Sequence, residues 1–221
     1  MFEVSRREKA PESLALRKSY SEPDVIAALE EDFYGKCYIC ETKGLLSLNV
    51  EHFIAHEDKN DDLKYSWENL FFACARCNNF KRHFYNELLD CTDNKNNVCR
   101  LIKHVFPTTP FSGSITIEAM ANDNKTIKTA ELIRRVFNES NTGNKEITVL
   151  TLRKKVFSQY NTFLTFLNTY LDEQTLPRDK ELAIEHMKHM MNPDQEYSAF
   201  LRWAVIDSPK LNELLKDAIT F

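Results

Sequence analysis

Glycine is scarce in this chain, with four residues among 221. So few residues tolerant of positive φ disfavour glycine-rich phosphate loops and folds made of many tight hairpins. Long apolar runs are missing too. No stretch approaches the roughly 18 residues of a membrane-spanning helix. The opening Met-Phe-Glu-Val-Ser-Arg-Arg-Glu lacks the apolar core of a secretory signal. These absences point to a cytoplasmic protein with no membrane partner. A surplus of positive charge is also lacking, because 29 Lys and Arg face 33 Asp and Glu, a formal charge of −4. That argues against a bulk electrostatic grip on nucleic acid and leaves room only for a local basic patch or a partner that supplies the grip.

What the chain does have is paired cysteine. Cys37-Tyr-Ile-Cys40 and Cys74-Ala-Arg-Cys77 are two knuckles of identical spacing. A Cys-x-x-Cys turn aims two thiolates at one point, and two such turns fill a tetrahedral Zn²⁺ shell. In a reducing compartment this pattern favours metal over disulfides. A filled shell has no position for water or substrate, so Cys37, Cys40, Cys74 and Cys77 are expected to hold a structural zinc. Cys91 and Cys99 match no common metal spacing and read as ordinary thiols.

The expected fold is α+β and mostly α. Asp24 to about Asp32 reads as a helix with Val25, Ile26 and Leu29 on one face, opened by Pro23. The alternation of Leu46, Leu48, Val50 and Phe53 predicts a strand pair or hairpin over 45–53. Asp58 to Lys64 reads as a polar loop, and Trp67 to about Leu89 as a helix bent near the second knuckle. Ser114–Glu118 is a candidate strand. From about Thr126 the chain reads as helical. Val149, Leu152, Val156, Tyr160, Phe163, Leu167 and Tyr170 recur at steps of three and four, and further helices are expected near 178–191, 194–206 and 209–219. The predicted organisation is an N-terminal arm over 1–23, available for partner contact, a core over 24–90 with the knuckles, and a mainly helical region over 91–221.

Between the knuckles lie Glu51-His52 and His56, then Asn69. Asn78, Asn79 and Lys81 follow the second knuckle. On an extended strand, adjacent side chains point to opposite faces, but at a strand end both Glu51 and His52 can reach one site. A hard cation such as Mg²⁺ takes oxygen ligands, which suits the Glu51 carboxylate and the side-chain oxygen of Asn78 or Asn79. Neutral His52 can take a proton from an attacking water. Lys81 could add positive charge near a substrate, and His56 could contact phosphate or cap the turn.

Glu51-His52, together with Trp67-Glu-Asn69-Leu-Phe-Phe-Ala-Cys-Ala-Arg-Cys-Asn78-Asn-Phe-Lys81, resembles the HNH nucleases. The resemblance spans about 33–85 and implies a small ββα-metal core. It also implies His52 as general base, Glu51 and Asn78 as ligands of a catalytic Mg²⁺ (with Mn²⁺ as an alternative), and Asn69 as the residue that braces the loop and orients the base. Three positions depart from the common pattern. Glu51 replaces Asp, Ala55 stands where Pro is typical, and Asn78 replaces the last His. Further afield, Lys9-Ala-Pro-Glu-Ser-Leu14 and Asp32-Phe-Tyr-Gly-Lys-Cys-Tyr-Ile-Cys-Glu41 resemble the HNH component of Septu-type anti-phage systems, the PtuB-like proteins, some of which are encoded with retrons. That resemblance implies a PtuA-like ATPase of the ABC/SMC type as partner, a hetero-oligomer and a role in bacterial defence, with DNA as the expected substrate and RNA, tRNA included, as the alternative. The competing reading is a zinc-ribbon module that binds nucleic acid or protein without chemistry. A passive ribbon has no need of Glu51, His52, Asn69 and Asn78.

Overall fold

Helix α1 (Pro23–Asp32) begins where Pro23 sets φ at the first helical position, and it buries Val25, Ala28 and Leu29. The computed structural model describes all residues except 45–47, 57–59, 112, 141–146 and 217–221. Ile26, expected on the buried face of α1, is instead exposed, and Ala28 takes its place. Tyr34 and Gly35, both at positive φ, turn the chain into the first knuckle. Strand β1 (Leu48–His52) follows. A short helix, α2 (Asp61–Lys64), is capped by the Asn60 side chain, so the expected polar loop is partly helical.

The largest correction falls on 67–89. Trp67–Asn69 form a 3-10 turn, Leu70–Cys74 form strand β2, and only Ala75–Lys81 form a helix, α3. Every residue of β2 is buried. A strand covered on both faces carries a continuous apolar run rather than an alternating one, and such a run cannot be told from a buried helix by periodicity. β2 pairs antiparallel with β1, so that His52 lies opposite Leu70 and Glu51 opposite Phe71. Of the hairpin expected at 45–53, the strand at 48–52 is present, its partner is this distant β2, and 45–47 lie outside the described residues.

A second antiparallel pair joins β3 (Ile102–Val105), preceded by α4 (Val98–Leu101), to β4 (Thr116–Ala119). The expected strand at 114–118 is therefore present, two residues later, and its partner β3 was not expected. The remainder is helical: α5 (Asn124–Asn138), α6 (Val149–Leu171), α7 (Pro177–Met190), α8 (Ser198–Ile206) and α9 (Pro209–Leu215). The α6 stripe buries Leu152, Val156 and Phe163 as its spacing predicts. The last residues of the helix expected at 209–219 lie outside the described residues.

One buried cluster runs from Met1 and Phe2 through both knuckles to Val156 and Phe200, across the positions 23/24 and 90/91. Phe163, Met187, Leu201, Val205 and Leu215 centre a second cluster among the last helices. Two buried cations fasten the helical region onto the knuckles. Arg76 donates to the carbonyls of Val136, Glu139 and Ile147, which include the otherwise unsatisfied end of α5. Lys36 donates to the carbonyls of Pro193 and Gln195, each at 2.7 Å, and burial pushes its ammonium down to about 8 against the pull of Glu41. The helices therefore complete the wall around the cysteines.

Candidate active site and metal centre

β2 ends at Cys74, and Cys74 caps α3 by accepting a hydrogen bond from the Cys77 amide at 3.4 Å. The strand–helix junction thus sets the second knuckle. The first is held against β2 by Tyr38, whose amide donates to the Phe72 carbonyl at 3.0 Å. The sulfurs of Cys37, Cys40, Cys74 and Cys77 all lie within 4.8 Å of one another, and all four residues are buried. Cys40 and Cys74 sulfurs are 3.9 Å apart. Zinc–sulfur bonds of about 2.3 Å in a tetrahedron put sulfurs roughly 3.8 Å apart, so the donor set fits zinc with its shell filled. Burial drives the Cys77 thiol well up, and a bound dication would supply the charge that lets such buried sulfurs ionise. Cys91 and Cys99 lie outside the cluster, buried and also raised by burial.

One residue beyond Cys77, Asn78 turns to another space. A cavity of about 340 Å³ is lined by Tyr20, Glu51, His52, His56, Asn78, Arg82 and His83, among others. Glu51 and His52 share it because His52 is the last residue of β1, where strict alternation ends. The half-buried His52 ring places Nε2 3.0 Å from the Lys64 carbonyl. A carbonyl can only accept, so Nε2 carries the proton and Nδ1 keeps a lone pair. Burial lowers the ring to about 4, which leaves it neutral at pH 7.

The loop that bears the Lys64 carbonyl is tied down by Asn69. Its amide donates to the carbonyls of Ile54 and Leu63, each at 2.9 Å, and its oxygen accepts from the Ile54 amide at 2.7 Å. Asn86, which nothing in the sequence singled out, accepts from the Ala55 amide at 2.9 Å. A proline at 55 would lack that N–H, so the departure from the common pattern has its own anchor here.

Lys81 is not at the surface. Its ammonium is fully buried, 2.7 Å from Glu51 Oε1, and donates to the His52 carbonyl at 2.8 Å. It pins the end of α3 to the end of β1 and faces no solvent, which corrects the expectation of a substrate contact. Burial raises the Glu51 carboxyl while Lys81 pulls it down. Asn78 is half-buried, and its side chain makes no hydrogen bond among the described residues. Glu51 and Asn78 thus offer oxygen to one cavity, as a hard cation requires. Tyr20, from the arm, is the other residue missed. Its ring packs edge-on against His52 at 4.6 Å between centroids and lies 6.4 Å from that of His56. Nothing local in 1–23 signals this approach, which depends on Arg7–Asp32 and Arg17–Asp62 ion pairs that dock the arm.

Residues 37–84 match the family model described as HNH endonuclease. The chain carries an HNH endonuclease domain. The match covers both knuckles, β1, β2 and α3, and the family is one of phosphodiester-hydrolysing nucleases. No curated protein and no solved structure matches the chain. Within the HNH domain the cysteine cluster and the cavity are neighbours that share α3, and only the cavity is open. No helix among the described residues is long and apolar enough to cross a membrane.

Proposed function

We propose that this chain hydrolyses phosphodiester bonds of DNA at the cavity of Glu51, His52 and Asn78. Zinc in the cysteine cluster is structural, and Glu51 and Asn78 hold Mg²⁺ or Mn²⁺. The observation that carries the reading is the His52 ring, with Nε2–H fixed on the Lys64 carbonyl and Nδ1 unprotonated, in a cavity that Glu51 and Asn78 also line. In this role His52 accepts the proton of the attacking water at Nδ1, and the Lys64 carbonyl continues to hold the ring as charge develops on it. Asn69 is a positioning residue, because it fixes the loop that presents that carbonyl. Lys81 keeps Glu51 aligned and offsets its burial. The bound cation would offset charge on the scissile phosphate and the leaving oxygen. His56 lines the same space and is assigned to contact with the substrate phosphate.

The proposal extends to a partner. A PtuA-like ATPase would present the substrate within a hetero-oligomer in a bacterial anti-phage system of the Septu type, in the cytoplasm. Support comes from the resemblance of Lys9–Leu14 and Asp32–Glu41, and from the net charge of −4, which leaves the chain with little bulk grip on a polyanion.

The test compares wild type with His52→Ala, both with zinc bound and the partner present, on supercoiled plasmid and on total RNA in Mg²⁺. Wild type is expected to cut plasmid, and His52→Ala to lose about 100-fold or more. Equal cleavage by the two proteins overturns the assignment. His52-dependent cleavage of RNA alone would move the substrate to RNA.

A further inference from the structure

α3 does not end in an ordinary cap. Arg82 follows it at φ 42°, ψ −145°, a conformation that a side chain with a Cβ adopts only at some cost. The turn throws Arg82, His83 and Phe84 outward together, and all three are exposed. Lys81 immediately before them is fully buried, so the strained residue is where the chain passes from core to surface.

Arg82 lines two spaces. One is the cavity of His52 and Asn78, which His83 also lines. The other is an adjoining cavity of about 690 Å³, lined by Phe84, Tyr85, Lys128 and Arg135 among others. Lys128 and Arg135 are engaged there by Glu87 and Glu139. The Arg82 guanidinium has no ion pair or hydrogen bond among the described residues. Phe84 is 65% exposed, and the His83 ring lies 4.1 Å from it between centroids. A large aromatic left in water in the adjoining cavity, two residues from a cation that borders the cavity of His52, is the pattern that grips single-stranded nucleic acid. A base inside a duplex has both faces covered by its neighbours, so an unpaired, unstacked base offers a face to this ring without the cost of unstacking a duplex step. Stacking also needs no surplus of positive charge, which suits a chain of net charge −4.

We propose that Arg82 and Phe84 form a subsite for an unpaired nucleotide beside the scissile phosphate, with Arg82 on the flanking phosphate and Phe84 stacked on the base. This rests on the reading of the cavity as the nuclease site, and it selects single-stranded or locally unpaired segments over intact duplex.

The test uses full-length His52→Ala protein with zinc bound, so that binding is read without cleavage. The probes are a fluorescein-labelled single strand of about 12 nucleotides, within the usual site sizes for such grooves, its duplex, and the same strand with abasic residues, measured by anisotropy across a salt series. Phe84→Ala is expected to weaken single-strand binding about 5- to 100-fold, and Phe84→Trp to bind as tightly as the protein that keeps Phe84. The abasic strand should bind equally to the protein that keeps Phe84 and to Phe84→Ala. Arg82→Ala should reduce the salt slope by about 0.7, the value for one phosphate on a single strand. Unchanged single-strand binding in Phe84→Ala, duplex bound as tightly as single strand, or no binding of the strand at low salt would each overturn the subsite. Parallel cleavage assays of wild type and His52→Ala separate the two claims. If His52→Ala is inactive while Phe84→Ala binds and cuts normally, the subsite fails and the nuclease reading stands. If His52→Ala cuts as wild type does, the nuclease reading fails, and the subsite beside a scissile phosphate fails with it.

Discussion

The closed cysteine cluster and the open cavity meet at consecutive residues of α3, yet they are opposite kinds of site. Cys77 and Asn78 are consecutive on α3. One is fully buried among four sulfurs, the other half-buried with a side chain that makes no hydrogen bond among the described residues. Soft thiolates complete a shell and exclude water, whereas oxygen and nitrogen donors in a partly wet cavity leave room for substrate. A single turn of helix therefore connects the cysteine cluster to the cavity proposed as the reaction site.

Cys74→Ala breaks the comparison most completely, since it removes one of the four clustered sulfurs and the cap of α3 together. Metal analysis should fall from one zinc per chain to none, and circular dichroism should show loss of cooperative unfolding. Retained zinc with a normal melt would detach the cluster from the fold. Next in size is Lys81→Met, which leaves the Glu51 carboxylate buried and unpaired. Urea unfolding should show a loss of about 3–5 kcal/mol, partly recovered by adding Glu51→Gln. A loss no larger in the single variant than in the double would show that the pair does not couple.

Asn69→Ala should cost about 1–3 kcal/mol through the loop groups it leaves unbonded. Cleavage should fall further than stability explains, because the Lys64 carbonyl that orients His52 is freed. Activity tracking the folded fraction alone would leave Asn69 a purely structural brace. Acid should loosen the open side in its own way. The His52 ring, held at about 4 by burial, stays neutral in the folded protein while the unfolded chain takes up a proton near 6.5. Its contribution to stability is whole above pH 6.5 and is lost as pH falls towards 4. His104, lowered to about 3 by burial and by the Met1 ammonium beside it, adds a second contribution of the same sign. Urea midpoints between pH 7 and 5 should fall less steeply in His52→Gln than in wild type, and identical slopes would take His52 out of the account. The smallest effect is expected at Tyr20. Tyr20→Ala should lower kcat several-fold with little change in KM, and Tyr20→Phe should restore it, since ring packing alone holds the imidazole.

The knuckles were legible because a Cys-x-x-Cys turn fixes two ligands through local geometry alone, whatever lies around it. The amphipathic stripe of α6 was legible because a helix repeats its buried face at a fixed step. β2 was not legible. Leu70-Phe-Phe-Ala-Cys74 is apolar throughout, and only its covering on both faces makes it a strand. Whether Lys81 or Arg82 meets substrate could not be read from two adjacent cations either. One points into the core to neutralise Glu51, and the other is thrown outward by a backbone turn at positive φ. Tyr20 and Asn86 reach the site across 32 and 31 residues of chain respectively, from His52 and Ala55. Spacing along the sequence determined the metal-binding turns and the chemistry on offer. Tertiary packing decided which of those groups are buried, paired or free, because burial and long-range contact depend on what every other element places beside them.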